Sequence, residues 1–204
     1  MKTHFLLSLL FLTSTFSNLR PTATAGEGYG YGDTGFIRTS CNTTLYPDVC
    51  FSSLSRYASA VQQSPAHLAR VAIAVTLSKA HRIASYLSRQ ADYAADDSRA
   101  VSAALHDCSD NLDNAVDEIR DSLRQMRLLG AGSGSVSGSF RFGMSNVQTW
   151  MSAALTEEET CTDGFEDVPN GSLKTDVCDR VSKVKKFTSN ALALVNSYAN
   201  QVMP

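Results

Sequence analysis

The chain lacks most of what enzyme sites are built from. It has four histidines in 204 residues, and none is placed to share a metal ion. His4 lies in the short polar start before an N-terminal apolar run, His106 stands alone, and His67 and His81 sit on one helical stretch ~21 Å apart. The sequence has no Glu-x-x-His pair for a di-iron bundle and no His-Glu-x-x-His for a zinc protease. Ser133, Ser135 and Ser137 lie among glycines, but the window Gly134 to Gly138 is centred on Val136, so it is not a nucleophile elbow. Catalytic, metal and cofactor chemistry therefore have no supporting constellation. Strand-like alternation is almost absent, and aromatics make up only 8% of the chain. The formal charge is −2 with no basic block, which does not suit nucleic acid. After residue 16 no apolar run approaches the ~18 residues of a membrane span.

Residues 1–25 have the form of a secretory leader. Lys2 and His4 precede the apolar run Phe5 to Phe16, and Ala23-Thr24-Ala25 is a small-x-small cleavage site. Removing Lys2 and Arg20 leaves sixteen basic and twenty acidic side chains, a net charge of −4. The remaining ~180 residues suit one secreted, extracellular domain, with no membrane association after cleavage. Secretion permits disulfides. The five cysteines are Cys41, Cys50, Cys108, Cys161 and Cys178. They cannot all pair internally, and spacing alone leaves several pairings open. No histidine neighbours Cys178 in sequence. Val177 and Val181 place it on a partly buried helical position, where a thiol is inert, with intermolecular pairing as the alternative. Asn42-Thr43-Thr44 and Asn170-Gly171-Ser172 are sequons, so Asn42 and Asn170 are candidate glycosylation sites.

The rest of the chain has helical periodicity. Residues 26–35 are glycine-rich and expected to be flexible. Residues 36–62 carry short helical patterns broken at Asn42, Pro47 and Ser55, and a Cys41–Cys50 staple would hold two helices too short to persist alone. Four long amphipathic stretches follow within 64–204. Pro65 to Gln90 opens on Ser64 as N-cap with proline at the first helical position. Asp97 to Leu129 shows the clearest pattern, with Leu105, Cys108, Leu112, Ala115, Ile119, Leu123 and Met126 on one face. The Gly/Ser run 130–139 connects to Phe142 to Glu158, with Val147, Trp150, Met151, Ala154 and Leu155 inward. Leu173 to Val202 is the last. The fold class is all-α: an antiparallel up-down-up-down four-helix bundle extended by an N-terminal hairpin of short helices.

Two polar features stand apart from the core pattern. Asp110, Asn114, Asp117 and Asp121 step by four, three and four, so they share a helix face beside the core face. Thr156 to Asp167 (TEEETCTDGFED) holds six carboxylates. If Cys108 pairs with Cys161, the two features form one acidic, hydroxyl-bearing patch of fixed geometry, which suits a binding surface.

Three segments together resemble the plant invertase and pectin methylesterase inhibitor family. They are Cys41-Asn-Thr-Thr-Leu-Tyr-Pro-Asp-Val-Cys50, Leu105-His-Asp-Cys108-Ser-Asp-Asn-Leu-Asp-Asn-Ala-Val, and Trp150-Met-Ser-Ala-Ala-Leu-Thr-Glu-Glu-Glu-Thr-Cys161-Thr-Asp-Gly-Phe165. The resemblance runs from about Phe36 to the C-terminus. It implies a hairpin over 36–62, a bundle over 64–204, bridges Cys41–Cys50 and Cys108–Cys161, and a free Cys178. It also implies a non-enzymatic inhibitor that binds a cell-wall enzyme one-to-one and blocks its substrate cleft. The connector before Phe142 lacks the Pro-Lys-Phe element of invertase inhibitors, and Trp150 to Phe165 is more similar to the pectin methylesterase inhibitors. The expected target is therefore pectin methylesterase, with acid invertase as the alternative. By motif position the target-binding residues are Asp110, Asn114, Asp117, Gln148, Thr160 and Asp163, although Asn114 and Gln148 depart from the family pattern. A reading of another class is a secreted structural or ligand-binding bundle without an enzyme target.

Overall fold

The structure, a computed structural model, describes residues 31–93, 99–131 and 138–203. The expected leader, residues 26–30 of the glycine-rich stretch, and 132–137 of the connector lie outside the described residues. Helix α1 (Tyr31–Cys41) begins inside the stretch expected to be flexible. Next come α2 (Pro47–Leu54), a 3-10 turn at Ser55–Tyr57, and α3 (Ala58–Val61). The breaks fall where Asn42, Pro47 and Ser55 place them, with Pro47 in the first turn of α2. Cys41 and Cys50 are bonded, with their Cα atoms 5.5 Å apart.

Four long helices make the bundle: α4 (Pro65–Tyr93), α5 (Arg99–Ala131), α6 (Gly138–Asp163) and α7 (Ser172–Val202). Each packs on its neighbours in the cyclic order α4, α5, α6, α7. Pairs across the seams set the directions. Cys108 near the start of α5 meets Cys161 near the end of α6, and Glu158 and Gln148 of α6 meet Thr188 and Asn196 of α7. Ser64 caps α4 by accepting a hydrogen bond from the His67 N–H at 3.3 Å. Among the described residues there is no strand.

The core follows the apolar stripes. Leu68, Leu87, Leu105, Leu112, Ile119, Met151, Val181 and Val195 are buried, each contributing roughly 1.5–3 kcal/mol relative to exposure. Trp150 and Leu155 are only half-buried, at the edge of the stripe rather than inside it. The hairpin is hooked to the bundle by Asn190, whose side chain is 3% exposed. Its Nδ2 donates to the Tyr46 carbonyl at 2.9 Å, and its Oδ1 accepts from the Tyr46 N–H at 3.1 Å. One glycine has a packing reason. A Cβ on Gly143 would come within 2.7 Å of Gln125 Nε2 and 2.8 Å of Leu129 Cδ2, so its absence lets α6 approach α5 closely.

Helix α6 is longer than its periodicity predicts at both ends. Beyond Glu158 it continues through the acidic stretch to Asp163. The reason is tertiary. Glu158 turns into the core and Cys161 is tied to α5, so this turn is packed rather than frayed.

Candidate functional site

The Cys108–Cys161 bridge, with Cα atoms 4.1 Å apart, fixes the register of α5 against α6. Asp110 follows Cys108 by two residues, and Thr160 immediately precedes Cys161, so the bridge holds both stripes at one end of the α5–α6 face. Asp110, Asn114, Asp117, Thr160 and Asp163 are all exposed. The Thr160 hydroxyl donates to the Thr156 carbonyl at 2.9 Å, which leaves its oxygen lone pairs facing solvent. Asp117 is paired with Arg120, and Asp121 with Arg124 at 3.0 Å. These exposed pairs offset two of the three carboxylates of the stripe and contribute little to stability, ~0–1 kcal/mol each. Asp110 and Asp113 make no ion pair among the described residues.

Gln148 is placed elsewhere. It is half-buried, and its Nε2 donates to Asn196 Oδ1 at 2.9 Å across the α6–α7 seam. Spacing in one helix identifies which residues share a face, but not which neighbouring helix that face meets.

Three features escaped the sequence reading. The first is a pair of exposed apolar side chains, Leu128 (64% exposed) and Phe142 (70% exposed). Leu128 lies seven residues after Asp121 and continues the α5 stripe. Phe142 lies ~five turns before Thr160 and continues the α6 stripe. The signal was present in the sequence as apolar residues out of phase with the core.

The second is Glu158, 0% exposed. Its Oε1 accepts from the Thr188 hydroxyl at 2.6 Å, while Oε2 has no protein partner. Burial pushes this carboxyl up to about 8, against a smaller lowering by the Thr188 hydrogen bond and Lys185. The third is Glu118, whose Oε2 is also buried without a partner. Burial first, and then the charge of Glu157 across the α5–α6 seam, raise it to about 7. The segment expected to be one uniform acidic surface is thus divided. Glu158 belongs to the core, Glu159 pairs with Lys185 at 3.1 Å, and Thr160 and Asp163 remain outside.

Cys178 has no disulfide partner, is half-buried, and has its thiol pushed up by burial, which agrees with an inert role. Asn42 and Asn170 are both exposed outside helices. Among the described residues, no group of three or more His, Cys, Asp or Glu side chains could hold a metal ion. No described helix is long and apolar enough to cross a membrane.

Comparison with known proteins agrees with this geometry. Residues 35–194 match the family described as plant invertase/pectin methylesterase inhibitor. The chain is 37% identical over 198 residues to pectinesterase inhibitor 11 of Arabidopsis thaliana, covering 97% of this chain and 94% of that protein. It is 41% identical over 165 residues to the 21 kDa protein of Daucus carota, covering 80% and 83%. Among solved structures, a mutant form of a pectin methylesterase inhibitor from Arabidopsis superposes with a TM-score of 0.62 at 18% identity, covering 78% of this chain and 95% of that one. That likeness shows the same helical fold. With its two bridges, its helical hairpin and its four-helix bundle, this chain belongs to the plant invertase/pectin methylesterase inhibitor family.

Proposed function

We propose that the protein is a secreted, non-catalytic inhibitor of pectin methylesterase that binds the esterase one-to-one through its α5–α6 face. In this reading the face covers the pectin-binding cleft in the cell wall and excludes the polysaccharide. One observation carries the proposal. The disulfide-locked α5–α6 side presents Asp110, Asn114 and Thr160 toward one end and the exposed apolar Leu128 and Phe142 toward the other, with Asp117 at its α4 edge, where it lines a pocket with His81 and Arg89. A polar patch with apolar anchors, held rigid by a covalent tie, can dock without losing much conformational freedom. Curated relatives named as pectinesterase inhibitors supply the target class. Asp163, at the end of α6, belongs to the rim of this face. Gln148 acts on the binding face only by positioning α6 against α7.

The test is a titration of the purified chain against several pectin methylesterases and an acid invertase. Inhibition of an esterase at a one-to-one endpoint supports the reading. Inhibition of the invertase alone transfers the face to the alternative target, and inhibition of neither leaves a structural or ligand-binding bundle. The triple substitution Asp110→Ala, Asp117→Ala, Thr160→Ala should weaken inhibition by about tenfold or more with the helical signal intact. Full retained potency would reject this surface.

A further inference from the structure

The charge of the bundle is divided between its halves. Helices α4 and α7 carry nine lysines and arginines against three acids, whereas α5 and α6 carry five against ten. Between α4 and α7 runs an open groove of about 810 Å³. Six of its lining residues are cationic: Lys79, Arg82 and Arg89 from α4, and Arg180, Lys183 and Lys186 from α7. The two rows extend ~10–15 Å along the bundle. Asp176 and Asp179 are the acids of the groove.

These groups differ in how far they are committed. Asp176 accepts from Arg180 Nε at 2.7 Å and from the Tyr86 hydroxyl, and the Arg180 guanidinium lies 4.3 Å from the centre of the Tyr86 ring. Lys79 sits 5.5 Å from the centre of the Phe187 ring. Arg82 and Lys183 are exposed and make no ion pair among the described residues, and Lys186, also without an ion pair among them, is half-buried with its ammonium 5.6 Å from the centre of the Tyr46 ring. Asp179 is exposed and accepts no hydrogen bond among them. The groove thus offers uncommitted cations, one uncommitted acceptor, and two aromatic rings.

We infer that the α4–α7 groove docks de-esterified galacturonan, a linear polymer with one carboxylate and several hydroxyls on each sugar. This rests on the function proposed above, because hydrolysis of methyl-esterified pectin leaves that polyanion as product. Guanidinium and ammonium groups bind carboxylates by charge-assisted hydrogen bonds, Asp179 can accept from a sugar hydroxyl, and Tyr86 and Phe187 offer apolar surface to the C–H faces of the rings. A methyl ester has no charge and would lose the ionic part. The cyclic order of the helices puts this groove on the side of the bundle opposite the α5–α6 face. Esterase and polymer can therefore be held together, which would retain the inhibitor where the esterase has already acted.

The experiment measures binding of the full mature chain, without any enzyme, to a short de-esterified oligogalacturonate, its methyl-esterified counterpart, and poly-glutamate of matched charge. The de-esterified sugar should bind, and should weaken steeply as salt rises from about 50 to about 200 mM. The other two should bind at least about tenfold more weakly. The variant Arg82→Ser, Lys183→Ser, Lys186→Ser should lose about tenfold or more in affinity while melting at the same temperature and inhibiting esterase as before. Absence of binding, equal binding of poly-glutamate or of the methyl ester, or unchanged binding by the triple variant would each overturn the proposal. Failure of the wild-type chain to inhibit any esterase would instead strike the functional reading alone, because the polymer assay contains no enzyme.

Discussion

Replacing Glu158 by glutamine should change how the stability of the protein depends on pH more than it changes the stability itself. The wild-type carboxyl is wholly buried and is raised from 4.5 to about 8 by burial. A carboxyl raised on folding keeps its proton in the native state. Its contribution is complete below pH 4.5 and is lost progressively as pH rises toward about 8. Each pH unit in that window corresponds to about 1.4 kcal/mol, so by neutral pH the loss is ~3 kcal/mol. For a chain of this size that is a melting-temperature difference of roughly 6–12 °C. When neutral, Glu158 can donate from Oε1 to Thr188 Oγ1, and the Thr188 proton can go to the Val184 carbonyl, 3.3 Å away. Glutamine has no proton to lose, so the variant should fall less steeply than wild type over this window, keeping only the part of the slope that the raised Glu118 carboxyl gives both proteins. Its amide N–H groups gain no acceptor near the former Oε2, and this adds a pH-independent penalty of ~1–3 kcal/mol. The diagnostic quantity is therefore the slope. Urea midpoints for both proteins from about pH 4 to about pH 9 should diverge in favour of Glu158→Gln as pH rises. Parallel curves would refute the argument that Glu158 is a neutral buried acid.

Other substitutions probe the hairpin, the bridge and the binding face. Asn190→Ala removes both hydrogen bonds to Tyr46 and should cost ~2–4 kcal/mol. Hydrogen exchange should accelerate selectively in α1 and α2, and unchanged protection there would show that the hook is not structural. Replacing Cys108 and Cys161 with serine opens a loop of sequence separation 53 and should lower stability by ~4 kcal/mol. Inhibition should weaken in parallel, and an unchanged denaturation midpoint would contradict the estimate. Leu128→Ser with Phe142→Ser should leave the melting temperature within a few degrees, because both side chains are exposed, and weaken esterase inhibition by about tenfold. Undiminished inhibition would exclude them from the face.

The helical plan was legible because its signals are local. Pro47, Ser64-Pro65 and the three- and four-residue steps from Leu105 to Met126 each state a start, a stop or a face within a few residues. The bridges matched the residues that carried the family resemblance. The candidate site was legible only in part. Asp110, Asn114 and Asp117 share a stripe by spacing alone, and Thr160 joins them through Cys161. Gln148 entered the candidate set by motif position, which carries a residue across without saying which helix its side chain meets, and here it bonds Asn196 on α7. Glu158 escaped for a related reason. A glutamate flanked by Glu157 and Glu159 reads as solvated, and only the packing of α6 on α7 turns it onto Thr188.

The sequence by itself determined the helices, their polar and apolar faces and the cysteines available to join them. These depend on interactions within a few residues of chain, and on residue types with one common fate. The tertiary structure decided what lies opposite what. It put Glu158 in the core and Glu118 against Glu157. It also separated the charges into an acidic α5–α6 half and a basic α4–α7 half, although the sequence shows no basic block. Charge polarity of this kind arises from long-range adjacency: α4 and α7 lie far apart along the chain, and only bundle closure brings their cations to one groove.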